Sequence, residues 1–346
     1  MNRKGFAPVL LLLIVAVIAA SVLAWFYYQG SFTQTGKTSM NAEVSGKPLK
    51  VAKYYWPGTF WVEIADSKGF FKEEGLNVEL VDTNADYYQS LQDTVDGKID
   101  TNNFPLFDFL SYDLQGANLV AVLGGDVSNG ATGIVANSSI KTVADLTGKK
   151  VGVAKGTFSE YMLETVLKEN NVDISSVEVL NIATEDTVSL LSSGKVDAVA
   201  SWEPLMSEAV TKLGANIVFN TSELFGLDAS VWTFDRKFIT ERPGDVAAFL
   251  RAWKKTIAYI ESNEKEAFQI IANNYGATID DVIGYASSDK ILSLEEAKGR
   301  FAYSSGIDST QGLIVGMNEF MISKNLTSET VRTDSILVSS FIKALK

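Results

Sequence analysis

A helical pattern, then Gly-Lys-(Ile/Val)-Asp, then a β-branched run occurs twice in this chain, first at Gly97-Lys98-Ile99-Asp100 and again at Gly194-Lys195-Val196-Asp197. The flanks of the two copies match as well. In the first half the pattern predicts strands over 51–55, 77–81 and from residue 101, with helices over 60–74 and 87–96. In the second half it predicts strands over 150–154, 177–180 and 198–201, with helices over 158–170 and 185–193. Strands alternating with amphipathic helices build parallel sheets, so the chain is expected to be α/β with two similar lobes. A common helix-stop signal explains the tetrapeptide alone; the matching order of its neighbours favours two lobes.

Beyond a further strand at 230–234 the character turns helical, with amphipathic runs over 246–260, 264–275, 294–301 and 313–322. Pro243-Gly244, Gly276 and Gly306 punctuate them. These helices are expected to pack on a lobe. The organisation that follows is a discontinuous lobe 1 (48–128 and 225–346) and a continuous lobe 2 (129–224). Crossovers near 126–133 and 219–230 make a hinged cleft between them.

The N-terminus carries Arg3 and Lys4, then an apolar run over 7–28 closed by Trp25, Phe26, Tyr27 and Tyr28. That length suits a membrane-spanning helix, and basic residues before it with aromatics at its end give the positive-inside orientation. Two other readings stand beside an anchor: signal cleavage near Ala24, or a cut at Lys4-Gly5. In each, the rest of the chain lies outside the cytoplasm, tethered by the helix or released as a periplasmic or secreted protein. Residues 29–47, rich in Ser, Thr and Gly, read as a flexible tether.

Composition removes whole classes of chemistry. With no His and no Cys among 346 residues there is no Ser-His-Asp triad, no thiolate nucleophile, no lipoprotein cysteine and no His or thiolate zinc site. A net charge of −12 argues against nucleic acid as a partner. Neither a resident metal nor a cofactor is expected.

Ligands of open α/β sheets bind beyond the carboxyl ends of the strands. The tips here are Tyr55-Trp56-Pro57-Gly58-Thr59, Asn102-Asn103-Phe104, Lys155-Gly156-Thr157-Phe158-Ser159 and Ser201-Trp202-Glu203-Pro204. They combine small residues, hydroxyls, amides and aromatic planes. Asp100 and Asp197 precede their strands, at the opposite edge, and are expected to be structural.

Several ordered motifs carry a family resemblance: IADSKGFFKEEGLNVEL (64–80), the DGKID and SGKVD pair, DVSNGATGIVA (126–136), VADLTGKKVGVAKGTFSEYML (143–163) and SWEP (201–204). Together they resemble the nitrate/sulfonate/taurine solute-binding proteins of ABC transporters and the related thiamine-pyrimidine-precursor binding proteins. The resemblance implies a type II periplasmic-binding fold, whose two lobes close on a small solute and deliver it to a permease and its ATPase. The family's ligand-contacting positions fall on Trp56, Asn103, Asp126, Ser128, Gly156, Thr157, Ser159, Trp202 and Glu203. Pyrimidine-synthesising enzymes of this fold use a substrate His and a Cys-rich motif, and this chain has neither residue.

Each motif also admits a plainer role. Thr157 to Glu160 is a capping box, Glu203 can cap the helix that Pro204 begins, and Asp126 and Ser128 can shape turns. Trp202 can fill the interlobe core, and the charges at Lys68 and 72–74 fit a solvated helix face. As a ligand site, Asp126 and Glu203 beside aromatic planes suit an amine-bearing solute better than a bare oxyanion. Sulfonate and nitrate stay open, as does an aminosulfonate bridging the amides of the 156–158 turn and a carboxylate. The leading expectation is a noncatalytic, monomeric solute receptor of an ABC importer. A tethered sensing or scavenging module, or an enzyme using Asp126 or Glu203, are the alternatives.

Overall fold

The computed structural model describes residues 40–301 and 306–346. The apolar run over 7–28 lies outside them; among the described residues no helix is long and apolar enough to cross a membrane.

In chain order, β1 (Pro48–Lys53), β2 (Asn77–Asp82), β3 (Thr101–Pro105) and β4 (Leu119–Ser128) lie in a first sheet, and β5 (Thr132–Ala136), β6 (Lys150–Val153), β7 (Glu178–Asn181), β8 (Ala198–Trp202) and β9 (Asn216–Asn220) form a second. The chain then returns to the first sheet with β10 (Ala229–Asp235) and β11 (Asp289–Ile291). The strand orders are β11-β4-β10-β3-β1-β2 and β7-β6-β8-β5-β9. Each sheet thus contains one common unit: three parallel strands, β2-β1-β3 or β7-β6-β8, closed by an antiparallel strand, β10 or β5.

The repeated tetrapeptide has the same job in both lobes. Asp100 Oδ2 accepts from Lys50 N at 2.7 Å, and Asp197 Oδ2 accepts from Lys150 N at 2.9 Å. Each aspartate's own N–H returns a bond to the same lysine's carbonyl. The two aspartates therefore pin the start of β1 or β6 at the edge away from the strand tips.

Helix Pro243–Ser262 begins with proline at its first position, where the missing N–H costs nothing. It lays Phe249 on Trp61 and Trp232, with ring centroids 5.1 and 5.5 Å away. All three rings are fully buried, each contributing about 1.5–3 kcal/mol of transfer free energy. The tether expected up to Lys47 stops earlier, because residues 40–47 are fastened to this helix. Ser45 N and Oγ both donate to the buried Asp245 carboxylate, and Arg251 Nη1 donates to Met40 O. The chain passes so close to Gly244 that a Cβ there would stand 2.1 Å from Glu43 O.

Other differences from the sequence reading have local causes. The helix expected over 60–74 breaks at Gly69, whose φ of 76° ends Phe60–Lys68 before Phe70–Glu73 begins. Glu74 does not belong to a solvated face: Arg251 and Lys255 pair with it and hold its carboxyl below the usual range against the opposing effect of burial. β4 is buried along all ten residues, so its apolar run carries no alternation to mark it as a strand.

Candidate functional site

The two crossovers sit side by side and are stitched together by hydroxyls. Ser128 Oγ and Thr221 Oγ1 share a hydrogen bond of 2.7 Å, and Gly130 N donates to Thr221 Oγ1. Thr132 Oγ1 donates to Asp228 Oδ2 at 2.6 Å, and Ser128 N donates to Asp228 O. Ser128 is thereby part of the hinge, with its hydroxyl turned to the other crossover.

On the lobe 1 side, Trp56, Asn103 and Asp126 come together from three segments. Trp56 Nε1 donates to Asp126 Oδ2 at 3.2 Å, and Asn103 Nδ2 donates to Oδ1 at 2.7 Å. Gly58 permits the approach: a Cβ on it would lie 2.2 Å from the Asp126 carboxyl carbon. Tyr54 supports the group through its hydroxyl, which donates to Asn103 O. Tyr285 meets Trp56 edge-on at 6.0 Å.

Three carboxyl groups outside the sequence-derived set complete this wall. Asp289 comes from β11, which pairs with β4 so that Ile291 stands opposite Asp126 and Asp289 opposite Ser128. Burial and the neighbouring Asp126 and Asp228 carboxylates push Asp289 well above the ordinary range. Burial raises Asp126 too, opposed by the hydrogen bonds from Asn103, Trp56 and Ser230. Burial, with Asp126 adding to it and Thr132 opposing it, lifts Asp228 to about 6. Burial and then Asp228 lift Asp108 to about 7. Asp108 stands in the first turn of helix Leu106–Leu114, directly after β3. Among the described residues no three acidic groups converge in a metal-holding arrangement.

The lobe 2 side is built differently. Glu160 Oε2 accepts from Gly156 N at 2.8 Å, Thr157 Oγ1 accepts from Ser159 N, and both hydroxyls bond Ala154 O. The acidic half of the expected capping box therefore lands on Gly156 rather than Thr157. A carboxylate of the chain itself occupies the amide where an external anion would have docked. Glu203 accepts from Ser207 N and Oγ and so caps helix Leu205–Leu213. It also stands within electrostatic reach of Tyr285, whose hydroxyl is held protonated by burial, Asp289, Tyr55, Glu203 and Asp126 in that order. Glu203 and Trp202, both half-buried, stand at the tip of β8.

A cavity of 520 Å³ opens on lobe 1 beside Tyr55, lined also by Lys53, Asp82, Asn84, Asn274 and Tyr275. Its cation is already matched: Lys53 Nζ lies 3.2 Å from Glu63 and 3.4 Å from Asp82.

Two lobes with one repeated strand order, joined by paired crossovers at a cleft of strand tips, define the periplasmic-binding-protein class of fold. The family model described as NMT1/THI5 like matches residues 58–267, and the chain belongs to that family. It is 26% identical over 251 residues to a putative aliphatic sulfonates-binding protein of Bacillus subtilis, covering 70% of this chain and 71% of that one. It is 28% identical over 223 residues to a putative thiamine biosynthesis protein of Haemophilus influenzae, covering 62% and 69%. The fold matches the periplasmic aliphatic sulphonate binding protein SsuA of Escherichia coli with a TM-score of 0.68 at 19% identity, over 86% of this chain and 99% of that one. The desulfurization enzyme DSZB shares the fold at a TM-score of 0.61 and 17% identity, over 86% and 98%, so the architecture also carries catalysis.

Proposed function

We propose that this chain is the extracytoplasmic solute-binding component of an ABC importer, and that its cleft captures a small amine-bearing solute for a membrane permease and its ATPase. A solute-binding role is common to the sulfonate-binding relative and the structural neighbour named for the same ligand class. The ligand class rests on one observation. Burial raises the proton affinity of Asp108, Asp126, Asp228 and Asp289 beside Trp56 and Tyr285, Asp228 adds to the rise at Asp108, Asp126 to that at Asp228 and both to that at Asp289, and no cation is among the groups acting on Asp108 or Asp228. An ammonium or guanidinium relieves that repulsion and gains cation–π contact, whereas a bare sulfonate or nitrate adds to it. An aminosulfonate enters through its amine, with its acid end away from the Asp126 wall. The role is noncatalytic, and the chain acts as a monomer, held at the membrane by residues 7–28 or released by cleavage there.

The test is a thermal-shift series on the full chain against alkylamines, guanidino compounds, aminopyrimidines, aminosulfonates, alkanesulfonates and nitrate. A solute at 100 times its Kd adds about 2.7 kcal/mol, a rise of several degrees in a protein of this size. The proposal expects the largest shift from an amine-bearing compound. Shifts from alkanesulfonates or nitrate alone would overturn the ligand class, and absence of any shift would count against solute capture. Co-purification with a permease and ATPase separates an importer component from a sensing module.

A further inference from the structure

The lobes are joined by more than their crossovers. Helix Leu294–Arg300 packs on β4 of lobe 1, and the chain returns to that strand at Leu337, which bridges Ala121, with Val338 N donating to Ala121 O. Between these anchors helix Thr310–Ser323 reaches across to lobe 2. Phe320 packs against Tyr161 of the lobe 2 helix Phe158–Glu169 at 5.4 Å, and against Phe107 of lobe 1 at 6.0 Å. Phe107 and Tyr161 meet each other at 6.1 Å. Lys324, just past the helix, pairs with Glu164 and lies 3.5 Å from Glu160. Glu160 is the carboxylate that accepts from Gly156 N at the cleft edge, and Leu326 lies against the same glycine.

We propose that this C-terminal segment is a clasp that sets how far the cleft opens, with Phe320 and Lys324 as positioning residues for lobe closure. It rests on reading the cleft as the solute site. Phe107 and Tyr161 touch across the lobes, so a rotation about the crossovers that parts them exposes apolar surface on both. A segment anchored on β4 before and after this helix, with the Phe320 ring bridging Phe107 and Tyr161 and the Lys324 cation on lobe 2, opposes that separation. The ion pairs act on Glu160, and through it on the Gly156 turn, so the clasp reaches the cleft without touching a solute.

The test uses the full chain without ligand. Because the sequence has no Cys, Ala85→Cys and Glu185→Cys, exposed beyond the matching edge strands β2 and β7, supply the only two thiols for spin labels. The label-to-label distance distribution is then read by pulsed electron paramagnetic resonance. Lys324→Met and Phe320→Leu are each expected to move it to longer distances by more than its original width, with Lys324→Arg restoring it. Lys255→Met, which breaks ion pairs to Glu73 and Glu74 inside lobe 1, is expected to leave it unchanged. An unchanged distribution in both clasp variants, with circular dichroism showing folded protein, would overturn the clasp. If Phe320→Leu does not fold, Lys324→Met decides alone. No solute enters the measurement, so its failure and the failure of solute capture are told apart.

Discussion

The tips of the two lobes occupy equivalent places in one repeated strand order and are finished in opposite ways. In lobe 2 the turn after β6 is partly satisfied from within, since Glu160 takes up the Gly156 amide, Thr157 the Ser159 amide, and the Thr157 and Ser159 hydroxyls the Ala154 carbonyl, and Glu203 caps the next helix. In lobe 1 the matching tips gather Asp126, Asp289, Asp228 and Asp108, and burial, joined by neighbouring carboxylates at Asp289, Asp228 and Asp108, raises the proton affinity of all four. At the opposite edge the lobes are alike, with Asp100 and Asp197 making the same pair of bonds. The two lobes thus share their structural edge and differ at their strand tips. On the proposed reading, lobe 1 presents the carboxyl groups that a cationic ligand would neutralise.

The comparison breaks first at Asp126. Asp126→Asn is expected to weaken the best-binding amine about 100-fold, the scale of removing one partner of a buried charge pair, while Thr157→Ala on lobe 2 changes it by less than about 3-fold, both by titration calorimetry. Gly58→Ala comes next. Its Cβ would collide with the Asp126 carboxyl, so a stability loss of about 1–3 kcal/mol in urea melts should accompany weaker amine binding.

The acidic wall also predicts a pH dependence whose sign is opposite to that of a salt-bridged carboxylate. Asp108 near 7 and Asp228 near 6 hold protons in the folded state that an unfolded aspartate, with a pKa of about 3.9, has released. Between about pH 4 and 7 the folded state therefore binds more protons. Their contribution to stability is full below the unfolded value and is lost as pH rises through 6 and 7. Without ligand, the melting temperature should fall from pH 5 to pH 8, and Asp108→Asn with Asp228→Asn should flatten the slope. Amine affinity should run the other way, rising with pH as the carboxylates ionise. The smallest effect belongs to the shared edge. Asp100→Ala and Asp197→Ala should each cost about 1 kcal/mol in denaturant melts and leave amine affinity unchanged.

Much of this was legible in the sequence because its signals are local. The Gly-Lys-(Ile/Val)-Asp repeat announced two lobes, the strand tips gave Trp56 and Asn103, and the family resemblance added Asp126, to which both donate. The plain capping role of Glu203 was legible, whereas Glu160, read in a capping box with Thr157, takes the Gly156 amide instead. Asp289 was not legible, because β11 is three residues long and reaches Asp126 only by pairing with a strand more than 160 residues earlier. Asp228 lies in a crossover with no periodicity. Asp108 sits in the first turn of a helix, where an acidic residue is ordinarily a comment on the helix dipole and no sign of a ligand wall.

The central claim, that a cation completes the acidic wall of lobe 1, is tested most directly by the protons exchanged on binding. Titration of the best-binding amine at pH 6.5, in buffers of differing ionisation enthalpy, gives that number. Net proton release is expected, because the ligand's charge displaces protons from Asp108 and Asp228, and it should disappear in the Asp108→Asn, Asp228→Asn double variant. Proton uptake, or no exchange in the unaltered chain, would contradict it.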